Sequence, residues 1–265
     1  MISNILIGCI IFIIAVTMTM AGKGGGNFYV LTLAFAGMPM HEAATTGQFI
    51  LFTAAFAAML VFQKRKAVAW PLALCIGVLT AISAFAGGYF SHVFSGFHLK
   101  LIFSFMLLIA GLIMLIPASF FSDERNERHF GTWNITLGGE TYTVNLLIFI
   151  PISLLSGFGS GMVGVSGGSF LVPLMVLTCG VSMHIAVGTA SILIAVSAFM
   201  GFTGHALQGD FNPLWAVPLA LVTIIGGILG GKLTLKTKPD YLKRLFAFST
   251  LAAAFLMILN AIKTV

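Results

Sequence analysis

The stretch Gly161-Met162-Val163-Gly164-Val165-Ser166-Gly167-Gly168-Ser169-Phe170-Leu171-Val172-Pro173-Leu174 places four glycines in its first eight residues. A long apolar run, 144–164, ends in it, and a shorter one, 169–180, begins from it. Glycine accepts backbone angles that other residues avoid and leaves N–H groups uncovered. The stretch therefore predicts a broken helix, in which a sharp turn leads into a short helix whose positive end points back at the turn. The arrangement recurs at Gly22-Lys23-Gly24-Gly25-Gly26-Asn27-Phe28, between the apolar runs 2–22 and 27–37.

These breaks belong to a longer repeat. At an offset of 143 residues, Gly24–Met114 aligns without gaps on Gly167–Met257. Gly37 meets Gly180, Met40-His41 meets Met183-His184, Ala43 meets Ala186, and Thr46 meets Thr189. Further along, Gly87-Gly88 meets Gly230-Gly231 and Leu99-Lys100 meets Leu242-Lys243. Leucine and alanine match by chance in apolar helices, but paired glycines, a Met-His and a Leu-Lys in one register do not. Duplication of this kind is typical of secondary transporters.

Only 8% of the 265 residues are charged and 59% are hydrophobic, whereas an average chain carries about 25% charged residues. Most of the surface must face hydrocarbon, which predicts a polytopic membrane protein embedded in a lipid bilayer. The apolar runs have helical rather than barrel-strand length. Long spans are expected at 2–22, 41–62, 67–91, 98–120, 144–164, 184–206, 213–235 and 243–262. The net charge of +6 sits in loops, where it reports topology and offers no nucleic acid a surface. Cys9, Cys75 and Cys179 lie in separate apolar runs and read as free thiols, with no metal site. No basic n-region precedes the first run, so it is expected to be retained.

Loop charges give the relation between the halves. Lys64, Arg65 and Lys66 follow the 41–62 span, while the matching loop, Leu207 to Asp210, holds no lysine or arginine. One loop later the bias reverses: Lys232, Lys236, Lys238, Lys243 and Arg244 stand against Lys100 alone. By the positive-inside rule the copies are inverted. Inversion requires an odd number of crossings per half, which makes 27–37 and 169–180 half-helices or bent segments completing a fifth. The expected fold is all-α, two inverted repeats of four long helices and one broken segment each, with both termini outside. The divisions are 1–122, a hydrophilic linker 123–143, and 144–265, within one membrane domain. Trp133 to Val144 alternates around Gly138-Gly139 and predicts a small β-hairpin. Asn134-Ile135-Thr136 fits a glycosylation sequon but falls inside by this topology.

Half-helix N-termini at both breaks suit an anion, and close helix packing through glycine is the alternative. Lys23 takes the register of Ser166 and reads either as the partner of an anionic substrate or as a lysine snorkelling from a span end. Gly24, Gly25, Gly26, Asn27, Gly167, Gly168 and Ser169 supply the break backbones. Thr46, Gln48, Thr189 and Ser191 could orient an oxyanion or serve as interhelical glue. The paired His41 and His184, with Glu42, are candidates for proton coupling or plain interfacial groups. His205 aligns with Phe62 and reads as a rim residue. Gly87-Gly88 and Gly230-Gly231 suit packing within a protomer or in a homodimer. No Walker A motif is present, and no cofactor is expected. Gly164-Val165-Ser166-Gly167-Gly168 matches G-x-S-x-G, which raises an intramembrane serine protease as a rival. The lysine in the Ser166 register argues against it, since the glycines persist where the nucleophile does not.

The run from Gly161 to Leu174, with Gly180, Ala186 and Gly188-Thr189-Ala190-Ser191, resembles the signature of the sulfite exporter (TauE/SafE) family, and the echo from Gly22 to Thr46 is similar in placement. The resemblance covers nearly the whole chain. It implies a secondary transporter of small sulfur-containing anions such as sulfite or organosulfonates, with the glycine breaks and Thr189 near the substrate. The first copy departs from the pattern at Lys23 and at Val30, which takes the place of Pro173. The expected protein is an alternating-access exporter in a bacterial inner membrane, with an anion channel as the rival mechanism.

Overall fold

The computed structural model describes residues 4–91, 96–115, 132–137, 140–163, 167–209 and 211–263. Helices fill the apolar runs, and local chemistry sets several of their ends. The first half carries α1 (Asn4–Met20), α2 (Gly26–Phe35), α3 (Met40–Lys64), α4 (Trp70–Tyr89) and α5 (Gly96–Leu115). Strands β1 (Thr132–Leu137) and β2 (Glu140–Asn145) then pair antiparallel, with Leu137 opposite Glu140 and Trp133 opposite Val144. The second half carries α6 (Leu146–Val163), α7 (Gly168–Leu177), α8 (Met183–Ala206), α9 (Pro213–Lys236) and α10 (Pro239–Lys263). Asn145 and Asn212 cap α6 and α9, each accepting a bond from the N–H two residues on. Glu42 in the first turn of α3 and Lys64 in its last complement the helix dipole. Both short helices stop at a left-handed glycine, Gly37 (φ 94°) and Gly180 (φ 69°), one repeat length apart.

Six helices among the described residues are long and apolar enough to cross a bilayer: α3, α4, α6, α8, α9 and α10. With 17 residues α1 rises about 26 Å, and with ten residues α2 and α7 rise only about 15 Å, half of a ~30 Å hydrocarbon core. Leu74, Ile82, Phe105, Leu155, Leu221 and Phe255 are exposed on the outside of the bundle, as a lipid-facing surface requires. The chain is a multi-pass membrane protein. All three cysteines are free.

Small residues decide which helices meet, because between lipid-exposed helices close van der Waals contact replaces the hydrophobic effect. Gly87 lies against the α6 backbone at Phe158, and Gly88 against the α8 backbone at Gly201. Gly230 lies against α1 at Val16 and Thr19, and Gly231 against α3 at Ala58 and Val61. Both glycine pairs are thus used inside one chain. Exchanging the halves maps the first set of contacts onto the second, since α6 and α8 are the counterparts of α1 and α3.

The contacts also give helix directions. Gly226 meets Ala15, Gly230 meets Thr19, and Thr234 Oγ1 donates to the Met20 carbonyl, so α9 runs parallel to α1. Thr223 meets Thr53 and Gly231 meets Ala58, so α9 is also parallel to α3. In a second group, Gly157 meets Thr80 and Gly161 meets Ala84, which makes α6 parallel to α4. Gly77 meets Leu193 and Gly88 meets Gly201, which makes α8 parallel to α4 as well. Between these two groups, α1, α3 and α9 on one side and α4, α6 and α8 on the other, the sense reverses. Phe62 packs on Gly188 while Gln48 packs on Gly201, so α3 and α8 are antiparallel. These two helices form the centre of the core through Ile50, Leu51, Ala190 and Ile194, and α8 is the most enclosed of the six. A second cluster joins α5 and α10 through Leu107, Ala110, Ala253 and Ala254, with Phe170 of α7 packed among them.

Candidate functional site

Three left-handed glycines shape the first break. Gly22 (φ 77°), Gly24 (φ 69°) and Gly25 (φ 93°) hold angles that cost an L side chain roughly 1–2 kcal/mol per residue. The chain leaves α1, turns, and starts α2 at Gly26. The second break is built differently. Gly167, just ahead of α7, has an ordinary φ of −65°, and α7 starts at Gly168, the counterpart of Gly25. Gly164, Val165 and Ser166 lie outside the described residues.

The breaks touch at the middle of the bundle. A Cβ on Gly168 would stand 2.8 Å from the Gly22 carbonyl oxygen and 2.5 Å from Ile194 Cδ1. A Cβ on Gly24 would stand 3.2 Å from Ile194 Cγ2 and 2.5 Å from Leu51 Cδ1. Leu51 and Ile194 are one repeat length apart, and each sits near the midpoint of its long helix, α3 or α8. Neither Gly25 nor Gly167 offers a side-chain cap. Two short helices therefore bring their N-terminal ends together beside Ile194. Such an end binds anions readily. Sequence reading missed Leu51 and Ile194, although their shared register was available.

Lys23 is buried beside the first break. Its Nζ donates to Ser249 Oγ at 3.2 Å and lies 5.5 Å from the centroid of the Phe246 ring. Ser249 in turn donates to the Phe246 carbonyl. Among the described residues the ammonium thus meets a neutral hydroxyl and an aromatic face, and no carboxylate. It does not snorkel to the surface, being 3% exposed. Ser249 and Phe246 belong to α10, which no sequence pattern tied to the break.

The polar groups predicted to orient a substrate are all buried, and they divide by occupation. Thr189 Oγ1 accepts the Ala69 N–H at 2.9 Å, so it ties down the start of α4. Ser191 Oγ donates to the Val187 carbonyl within its own helix. Gln48 Nε2 donates to the Ser160 carbonyl at 2.7 Å, whereas its Oε1 has no partner among the described residues. Thr46 Oγ1 and Ser169 Oγ are likewise buried without partners. Pro173 has no N–H to give the Ser169 carbonyl four residues back, which adds an acceptor in the first turn of α7. Asn27 is buried in the first turn of α2. Ser156 Oγ donates to the Gly167 carbonyl at 3.0 Å and fixes the second break to α6.

The predicted titratable groups are not brought together. His41 is exposed and Glu42 half-buried at the start of α3, while His184 starts α8, its Nε2 2.9 Å from the Thr237 carbonyl. Because α3 and α8 are antiparallel, these ends lie at opposite faces. His205 is not a rim residue. It is fully buried, with Nε2 2.8 Å from the Gly161 carbonyl and Nδ1 3.4 Å from Ser91 Oγ. Small residues at Gly161 and Gly204 bring α6, α4 and α8 so close that its ring fills the interior.

The sequence profile described as sulfite exporter TauE/SafE matches residues 7–257. The chain is 26% identical over 231 residues to the probable membrane transporter protein YunE of Bacillus subtilis, covering 82% of this chain and 84% of that one. It is 25% identical over 249 residues to a probable membrane transporter protein of Xylella fastidiosa, covering 89% and 87%. A probable membrane transporter protein of Methanocaldococcus jannaschii, MJ0441, is 24% identical over 247 residues, covering 88% and 86%. No solved structure matches the chain. With the profile spanning both breaks and every helix, the chain belongs to the sulfite exporter TauE/SafE family of membrane transport proteins.

Proposed function

We propose that the protein is a secondary transporter that exports a small sulfur-containing anion, sulfite or an organosulfonate, across a bacterial inner membrane. The observation that carries the anionic substrate is Lys23, a buried lysine without a carboxylate among the described residues, beside two converging helix N-termini. An unpaired buried charge is costly, and a bound anion offsets that cost. The family's description supports sulfur chemistry, and the relatives' names support transport over proteolysis at Ser166.

In this reading the anion lies at the midplane against the backbone of Gly24 to Asn27 and of Gly167 to Ser169, next to Lys23. Thr46, Gln48, Ser169, Thr189 and Ser191 orient its oxygens, and Ser166 adds a hydroxyl at the register of Lys23. The halves act as inverted repeats, each with four long helices and one broken segment. The antiparallel α3 and α8 and the exchangeable glycine contacts support that arrangement. Rocking of one half against the other alternates access. His41 with Glu42 at one face and His184 at the other are the groups proposed for proton coupling.

Three measurements test the reading. A thermal-shift series with sulfite, thiosulfate, sulfoacetate and taurine should raise the melting temperature, because ligands stabilise the folded state they bind. Counterflow in proteoliposomes should then show uptake accelerated by preloaded substrate. If no sulfur anion shifts the melt, the substrate assignment fails; if binding occurs without counterflow, a channel replaces the carrier. For topology, cysteines at Gln63 and Gln208 should be labelled from opposite faces, and labelling of both from one face would end the inverted arrangement.

A further inference from the structure

The ends of α3 and α9 carry a feature that the central site does not use. Since the two helices are parallel, Lys64 and Arg65 at the end of α3 stand beside Lys232 and Lys236 at the end of α9. Below these cations runs a groove of about 1080 Å³, lined by apolar side chains including Phe56 and Ile228. None of the four cations forms an ion pair among the described residues. The groove extends from Lys64 back to Phe52, twelve residues of helix or about 18 Å. One leaflet of a ~30 Å hydrocarbon core is about 15 Å deep. A charged mouth at head-group level thus opens on a channel as long as one lipid tail.

The positive-inside rule accounts for cations at this end, but not for the groove beneath them. The repeat supplies an internal control. The counterparts of Lys64, Arg65, Lys232 and Lys236 are Leu207, Gln208, Tyr89 and Val93, with no cation among them. There, Gln208 Nε2 donates to the Tyr89 carbonyl and ties α8 to α4. A second copy docked about a two-fold axis on this face would set four cations against four, which is repulsive. A small soluble anion has no need of the apolar walls. We propose that the groove is a binding site for an anionic phospholipid of the cytoplasmic leaflet. Its phosphate is held by Lys64, Arg65, Lys232 and Lys236, and one acyl chain lies along Phe56 and Ile228.

Native mass spectrometry of the full chain, with phosphatidylglycerol and phosphatidylcholine of matched acyl chains, tests the proposal. The protein should retain phosphatidylglycerol at least tenfold better. Changing the four cations together to glutamine should abolish the preference. Ile228→Trp, which fills the groove but keeps the charge, should weaken retention of phosphatidylglycerol; it carries the test alone if the quadruple variant melts early. Equal retention of both lipids overturns the proposal, as does full retention in either folded variant. Displacement of the lipid by inorganic phosphate at equal concentration, or a dimer abolished by Ile228→Trp, overturns it too.

Discussion

The two glycine breaks meet at the same place and are made of different materials. In the first, three left-handed glycines bend the backbone, and a lysine sits among them. In the second, the residue ahead of the short helix is right-handed, α7 starts one register position early, and Pro173 and Ser169 leave polar groups open. What the halves share is close approach: Gly24 against Leu51 and Ile194, Gly168 against Ile194 and the Gly22 carbonyl. Left-handed geometry is thus one route to a break, whereas contact between the two breaks constrains both. The first half carries Lys23 and, among the described residues, the unpartnered Thr46 Oγ1 and Gln48 Oε1, whereas the second carries the unpartnered Ser169 Oγ, so the halves do not contribute equally to an anion site.

The largest effect should separate the two backbones. Gly24→Ala combines left-handed strain of about 1–2 kcal/mol with overpacking against Leu51 of about 1–3 kcal/mol. Loss of folded protein after heating in detergent should be severe. Gly167→Ala incurs no φ strain and displaces only Ser156 Oγ, 2.9 Å away, from its bond to the Gly167 carbonyl, about 0.5–1.5 kcal/mol, so its melt should fall less than that of Gly24→Ala. Equal losses at the two positions would break the contrast.

Next comes the charge. A charge-assisted bond contributes about 1.5–3 kcal/mol, and about 1.4 kcal/mol is a factor of ten. Lys23→Met should therefore weaken sulfite binding tenfold to hundredfold by calorimetry, without lowering the melting temperature, since it removes an unpaired buried charge. Unchanged affinity would take Lys23 out of the site.

The paired threonines sharpen the comparison further. Thr189→Val strands the buried Ala69 N–H and should cost about 1–3 kcal/mol of stability. Thr46→Val removes a hydroxyl that has no partner among the described residues, so its melt should hardly move while its effect on anion affinity is read separately. Gln48→Ala loses a bond between helices and about 0.5–1.5 kcal/mol. The smallest effect belongs to Ser191. Ser191→Ala loses only a bond back to its own helix, and its melt should match the parent's. A larger loss for Ser191 would mean that the second half bears the load assigned here to the first.

The residues explain why some of this was legible and some was not. Gly37 and Gly180 could be found because a left-handed helix stop selects glycine wherever it occurs, and an offset of 143 then exposes the pair. Lys23 could be singled out because a cation inside an apolar chain is conspicuous. Its partners Ser249 and Phe246 could not, since they lie more than 200 residues away on a helix with no special composition. His205 was misplaced because its aligned residue is Phe62; both side chains fill interior space, and only contact with Gly161 and Ser91 reveals it.

Length, apolar periodicity and glycine spacing were enough to locate helices and breaks, because each follows from local backbone preference and from transfer of side chains out of water. The direction of one helix against another, the meeting of the two breaks at Ile194, and the neutral setting of Lys23 depended on tertiary packing. That packing rests on contacts between backbones at Gly87, Gly88, Gly161 and Gly201, and close approach of this kind joins residues that no sequence separation predicts.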